Sequence, residues 1–164
     1  MSGEFPNDGV DMDELFNRPF DEESASEVEK ASLVPEGYYL TNPDEYPVTV
    51  APYVFDDRRI LNIITRAEGK VAGEYHVAML RFKVSPDKKH AQVWEDGRPT
   101  GQEKTTFDMP SVLWTQARNA YKATVGDGPK TENALIEFLK TQPIKVKVGH
   151  FNGKLTVKGI EKAR

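Results

Sequence analysis

Residues 144–158 read IKVKVGHFNGKLTVK, and the fold class turns on them. Ile144, Val146 and Val148 alternate with Lys145 and Lys147; beyond Asn152-Gly153, Leu155 and Val157 alternate with Thr156 and Lys158. A period of two with apolar residues on one side is the pattern of a strand buried on one face. An Asn-Gly pair between two such segments predicts a hairpin, because the type I′ turn needs positive φ at both central residues. Upstream the period changes. Thr131 can cap a short helix whose apolar stripe is Leu135, Phe138 and Leu139, ended by Gln142-Pro143. Before it, Asp108 can cap a longer helix with Pro110 in its first turn. There Leu113, Trp114, Ala117 and Tyr121 recur at helical spacing until Gly126.

Further toward the N-terminus, Val48, Val50 and Val54 alternate with Thr49 and Tyr53, residues 60–65 form a second apolar run, and Ala67-Glu68-Gly69-Lys70 reads as a turn. In residues 73–84, Ala78, Leu80 and Phe82 fall on one face, and Tyr75, Val77, Met79, Arg81 and Lys83 on the other. Ser85-Pro86-Asp87-Lys88-Lys89 is a turn and residues 91–95 a short strand carrying Trp94; residues 96–108 offer little periodicity. The order predicts a mainly β domain over residues 34–164: a five-stranded OB-like barrel with two short helices between strands 3 and 4. Such barrels commonly bind oligonucleotides or oligosaccharides, although fold alone does not assign function.

Charge divides the chain of 164 residues. Residues 1–46 hold 13 acids and 2 bases, whereas residues 47–164 hold 20 bases and 13 acids, so the overall −4 conceals an acidic segment and a basic domain. Residues 1–33 are too acidic and too poor in apolar residues to offset an ordering entropy of roughly 1–2 kcal/mol per residue, and are expected to be a disordered acidic tail. Within it Leu15, Phe16 and Phe20 stand among carboxylates. They compose either a docking peptide for a partner or part of a solubilising tail, and both readings stay open. With no Cys there is no disulfide framework, thiolate zinc site or cysteine nucleophile, and a reducing cytoplasm is the natural compartment. The longest apolar run is four residues, and the N-terminus lacks a signal pattern, so no membrane span is expected.

A search for catalytic constellations is unproductive. His76, His90 and His150 share no metal-ligand spacing, and no G-x-S-x-G elbow, phosphate-binding glycine loop or dinucleotide fingerprint is present. Asp56-Asp57 and Glu95-Asp96 sit at expected turns, where neighbouring carboxylates are ordinarily solvated. Neither an enzyme nor a cofactor is expected. What remains is a binding signature. Lys145, Lys147, Lys154 and Lys158 of the final hairpin can hold phosphates through charge and counterion release. Aromatic and guanidinium groups, with Tyr75, Arg81, Lys83, Trp94 and Phe151 as candidates, can stack on exposed bases. Arg58, Arg59, Lys88 and Lys89 line the expected loops. The plain alternative is that outward lysines protect a sheet edge and that Trp94 is core. Trp114 and Tyr121 are assigned to packing.

Several segments also carry a resemblance: Glu36-Gly37-Tyr38-Tyr39, the strand YHVAMLRFKV at 75–84, and LIEFLKTQPIKVKV at 135–148 followed by Phe151-Asn152-Gly153-Lys154 and Val157-Lys158-Gly159-Ile160. Over residues 35–162 the chain resembles small phage-encoded single-stranded DNA-binding proteins with an OB-fold. The resemblance implies a phage replication or recombination accessory that coats single strands without sequence preference, with Tyr75, Arg81, Lys83, Lys145, Lys147 and Phe151 on its binding faces. Such proteins commonly carry the acidic, partner-recruiting tail at the C-terminus; here the acidic segment comes first. A flexible chain of 33 residues spans roughly 30 Å, enough to compete with DNA for a basic surface and then offer Leu15, Phe16 and Phe20 to a polymerase, helicase or recombinase. Two other readings compete. One is a protein-interaction module whose acidic segment is a DNA-like decoy or inhibitor of a host protein; the other, weaker, is a small metal-dependent nuclease.

Overall fold

Hairpins of consecutive strands, tied together by two longer-range strand pairings, organise this chain. The structure, a computed structural model, describes residues 34–163; the acidic segment and its Leu15, Phe16 and Phe20 lie outside the described residues. The elements are β1 (Gly37–Thr41), β2 (Thr49–Phe55), β3 (Arg58–Val71), β4 (Glu74–Val84), β5 (Lys89–Glu95), β6 (Arg98–Thr106), α1 (Met109–Val125), α2 (Glu132–Thr141), β7 (Ile144–Phe151) and β8 (Lys154–Lys162).

The helices begin and end where their capping chemistry dictates. The Asp108 carboxylate accepts from the Ser111 backbone N–H at 3.3 Å with Pro110 in the first turn, and Gly126 ends α1 in the left-handed region. The Thr131 hydroxyl accepts from the Ala134 N–H at 3.0 Å, and α2 stops before Pro143. The final hairpin also forms as its pattern requires, with φ of 52° at Asn152 and 75° at Gly153. Three further two-residue connections use positive φ at both positions: Asp56-Asp57, Ala72-Gly73 and Asp96-Gly97. They make hairpins of β2–β3, β3–β4 and β5–β6.

Five strands, in the order β4-β3-β1-β7-β8, make a sheet that curls into a half-barrel. The expected five-stranded barrel roughly fits this curl, and the described residues form eight strands in all. β2 is a sixth strand of this sheet, and β5 with β6 forms a separate two-stranded ribbon. The helices precede the last hairpin as expected, but six strands come before them. Length explains how β3 serves three neighbours. Its 14 residues pair with β4 along one edge, and on the other with β2 through residues 58–64 and with β1 at Ala67 and Glu68.

The turn expected at residues 67–70 is therefore the interior of β3. Gly69 is there because β1 passes close: a Cβ on it would stand 2.7 Å from the Tyr38 carbonyl oxygen. Residues 98–106, which show no useful periodicity, form β6 because backbone pairing with β5, not burial, holds them.

The inner face of the curl carries Tyr39, Ile63, Leu80, Val146 and Val148, covered by Leu113 and Trp114 of α1 and Leu135 of α2. Tyr121 and Phe138 meet edge to face at 5.1 Å between ring centres and join the two helices. β8 comes round into contact with β4 without forming a ladder, and α1 packs against both. Its Gln116 side chain accepts from the Ile160 backbone N–H at 2.9 Å, and its Pro110 carbonyl accepts from the Ser85 N–H at 3.0 Å. The helix thus satisfies backbone donors where strand pairing stops.

Candidate nucleic-acid interface

With the inner face filled, strand alternation places the remaining side chains outward. On β4, Ala78, Leu80, Phe82 and Val84 are buried, while Tyr75, Met79, Arg81 and Lys83 face solvent, the division expected from the period of two. Register adds their neighbours: Lys83 stands opposite Asn62, Arg81 opposite Ile64 and Met79 opposite Arg66. Across β3, Thr49, Ala51 and Tyr53 of β2 share this face. The Lys83 ammonium lies 6.0 Å from the centre of the Tyr53 ring, within cation–π range.

The same logic applies to β1, β7 and β8. Lys145 and Lys147 point outward opposite Leu40 and Tyr38, and the Lys145 ammonium is 5.6 Å from the Tyr38 ring centre. The β-bulge after Lys147 accommodates Lys158, whose stem crosses over Gly149. Phe151 and Lys154 flank the Asn-Gly turn, and both are exposed. Between the two basic ends of this face sits Glu68. It accepts a hydrogen bond from the Tyr75 hydroxyl at 2.6 Å and one from the Asn42 side chain at 3.3 Å. Bonding to that carboxylate, with partial burial, pushes the Tyr75 phenol up to about 12.

Arg58 and Arg59 are placed differently. The Arg58 guanidinium donates to both Asp108 oxygens at 2.6 and 2.7 Å, and its Nε donates to the Asp87 carbonyl at 3.0 Å; its side chain is only 11% exposed. Asp87 and Asp108 flank the β5–β6 ribbon, so one arginine pins both ends of the ribbon's root and the N-cap of α1. Arg59 reaches Asp87 at 2.8 Å and Glu132, in the first turn of α2, at 2.7 Å. The arginines hold the Asp87 and Asp108 carboxyls below the usual carboxylate range. Both arginines are therefore structural clamps with their donors engaged, in contrast to the expected role of loop residues open to phosphates.

Lys88 and Lys89 lead into the ribbon, and the Lys88 ammonium is 5.0 Å from the Phe107 ring centre. Nearly every ribbon side chain is exposed. Trp94, opposite Pro99, is 62% exposed and does not join the core, whereas Trp114 is 6% exposed and does. Between ribbon root and sheet lies a groove of about 1190 Å³, lined by Tyr53, Phe55, Ile60 and Lys83 from the sheet and by Lys88, Lys89, His90 and Glu103 from the ribbon side.

Among the described residues no lysine lies within ion-pair distance of a carboxylate. Three have an exposed aromatic ring beside them instead. Sequence reasoning missed Tyr38, Tyr53, Phe55, Phe107 and Arg66. For Tyr53 the signal was present, since alternation puts it with Thr49. For Tyr38 nothing local shows that β1 pairs with β7.

Asp56-Asp57 and the Asp96 of Glu95-Asp96 are turn residues. No cluster of three His, Asp or Glu able to hold a metal ion occurs among the described residues, and no helix there is long and apolar enough to cross a membrane. Comparison with protein-family models, curated proteins and solved structures returns no match.

Proposed function

We propose that this chain is a non-enzymatic, sequence-independent single-stranded DNA-binding protein whose half-barrel is an OB-like barrel. In this reading it serves phage DNA replication or recombination in the host cytoplasm. The observation that carries the reading is the pairing of lysines that make no ion pair among the described residues with exposed rings on the outward sheet face: Lys83 with Tyr53, Lys145 with Tyr38, and Lys88 with Phe107 beside it. Lysine ammoniums hold a phosphodiester backbone irrespective of sequence, and rings stack on any base that is not already paired. Arg81, Lys147, Lys158 and Phe151 extend the same surface, with Tyr75 tied to Glu68 between its ends. Support for the barrel comes from the five-strand curl, its covering helix and the basic closing hairpin, features that agree with the resemblance to phage single-strand-binding proteins.

The test is fluorescence anisotropy of a labelled oligo-dT of about 30 nucleotides, titrated with the full chain at two salt concentrations beside a duplex of equal length. Binding of the single strand in preference to the duplex is expected, with a log–log salt slope near −0.7 per phosphate contact. Absence of binding to either would refute the reading and direct attention to protein partners of residues 11–23.

A further inference from the structure

The groove between the outer sheet face and the root of the β5–β6 ribbon differs from the open surface around it: it has a floor and a wall. The floor is apolar and aromatic, with Tyr53, Phe55 and Ile60 from β2 and β3, and the wall begins at Lys88 and Lys89 where the chain leaves β4 for the ribbon. We propose that this groove holds a short run of the single strand, with bases stacked on Tyr53 and Phe55 and phosphates on Lys83, Lys88 and Lys89. The inference rests on the reading of the chain as a single-strand binder and names where on it the strand is enclosed.

Three observations point to the groove. First, Phe55 is 66% exposed at the end of a strand beside an Asp-Asp turn, where folding has no use for a large ring. Second, a two-stranded ribbon is marginal in water without a packed face, yet this one projects with almost nothing buried. Arg58 fastens its two flanks, so the wall stands without a core beneath it. Third, the two acids at that root, Asp87 and Asp108, also line the groove, and both are bonded to arginine. Among the described residues the lysines beside them make no ion pair. The remaining acids are Asp56 and Asp57 on the β2–β3 turn and Glu103 on β6. A flexible strand can set its phosphates on the lysines and turn unstacked bases toward the rings, whereas a rigid duplex has its bases already stacked.

The experiment uses the full chain and the same oligo-dT anisotropy assay. Phe55→Ala and Tyr53→Ala are each expected to weaken binding about tenfold. Lys88→Ala and Lys89→Ala are each expected to flatten the salt slope by about 0.7. In parallel, an oligonucleotide carrying 5-iododeoxyuridine is photocrosslinked to the unaltered protein and the adducts are located by mass spectrometry, a readout independent of any variant's folding. Adducts on Tyr53 or Phe55 support the groove. If the unaltered protein binds oligo-dT while all four variants match it and adducts fall only on β1, β7 or β8, the groove assignment fails and the single-strand reading survives. If the unaltered protein does not bind, both fail together.

Discussion

Replacing Arg58 with Ala removes three short hydrogen bonds, two to Asp108 and one to the Asp87 carbonyl, from a side chain that is 11% exposed. The substitution also strands a carboxylate that is itself only 28% exposed. Removing one partner of a buried ion pair costs about 3–5 kcal/mol, and a hydrogen bond to a charged group contributes about 1.5–3. Asp108 keeps its bonds to Ser111 and some access to water, which places the expected loss near the lower end, about 3 kcal/mol. For a folded part of this size that corresponds to a fall in Tm of about 10 °C. Urea unfolding of the full chain followed by far-ultraviolet circular dichroism would measure it. Asp108→Asn separates the contributions, since Asn still caps α1 but carries no charge. A double-mutant cycle between Arg58→Ala and Asp108→Ala should return a coupling of about 2 kcal/mol. A loss below about 1 kcal/mol, or a coupling near zero, would refute the view that this pair clamps ribbon and helix.

Other consequences follow from the same geometry. Because Asp87 and Asp108 have folded-state pKa values below the ordinary 3.8, their stabilisation is present above about pH 4 and is lost as pH falls through the depressed values. The urea midpoint should therefore drop on acidification below that point, and less steeply in Arg58→Ala; equal slopes would contradict the pairing. Gly69→Ala drives a methyl group to 2.7 Å from the Tyr38 carbonyl and 2.8 Å from the Tyr39 ring, and should cost about 1–3 kcal/mol by denaturant titration. Trp94→Phe should abolish the acrylamide-quenchable part of the tryptophan emission, leaving the blue-shifted signal of Trp114; persistent quenching in the variant would mean that Trp114 is accessible and the assignment of the two rings is wrong. Deleting residues 1–33, which hold 10 acids and 2 bases, should tighten oligo-dT binding at low salt and change nothing at high salt, where screening removes the competition.

The candidate interface was legible wherever strand alternation alone decides which way a side chain points. Arg81, Lys83, Lys145 and Lys147 fall outward because their neighbours Leu80, Phe82, Val146 and Val148 must be buried. Alternation says nothing about what an outward side chain meets. Arg58 and Arg59 have the same composition as a phosphate-binding loop, and only their partners, 28 to 73 residues away in the chain, turn them into clamps. Trp94 illustrates the opposite case: an aromatic on a short strand reads either as a stacking ring or as core, and only the exposed ribbon that carries it leaves it out of the core.

Local chemistry in the chain itself was sufficient for the final hairpin, the caps of both helices, the two faces of β4 and the separation of an acidic segment from a basic domain. Each of these depends on residues within a few positions of one another, where backbone sterics and side-chain periodicity act directly. The tertiary structure alone decided the pairing of β1 with β3 and β7, the formation of β6, and the covering of the β4–β8 gap by α1. It also decided which cations are spent on carboxylates and which remain available beside exposed rings. Those outcomes rest on contacts between residues far apart in sequence, whose free energy depends on how the whole sheet curls and which edges it leaves to be satisfied.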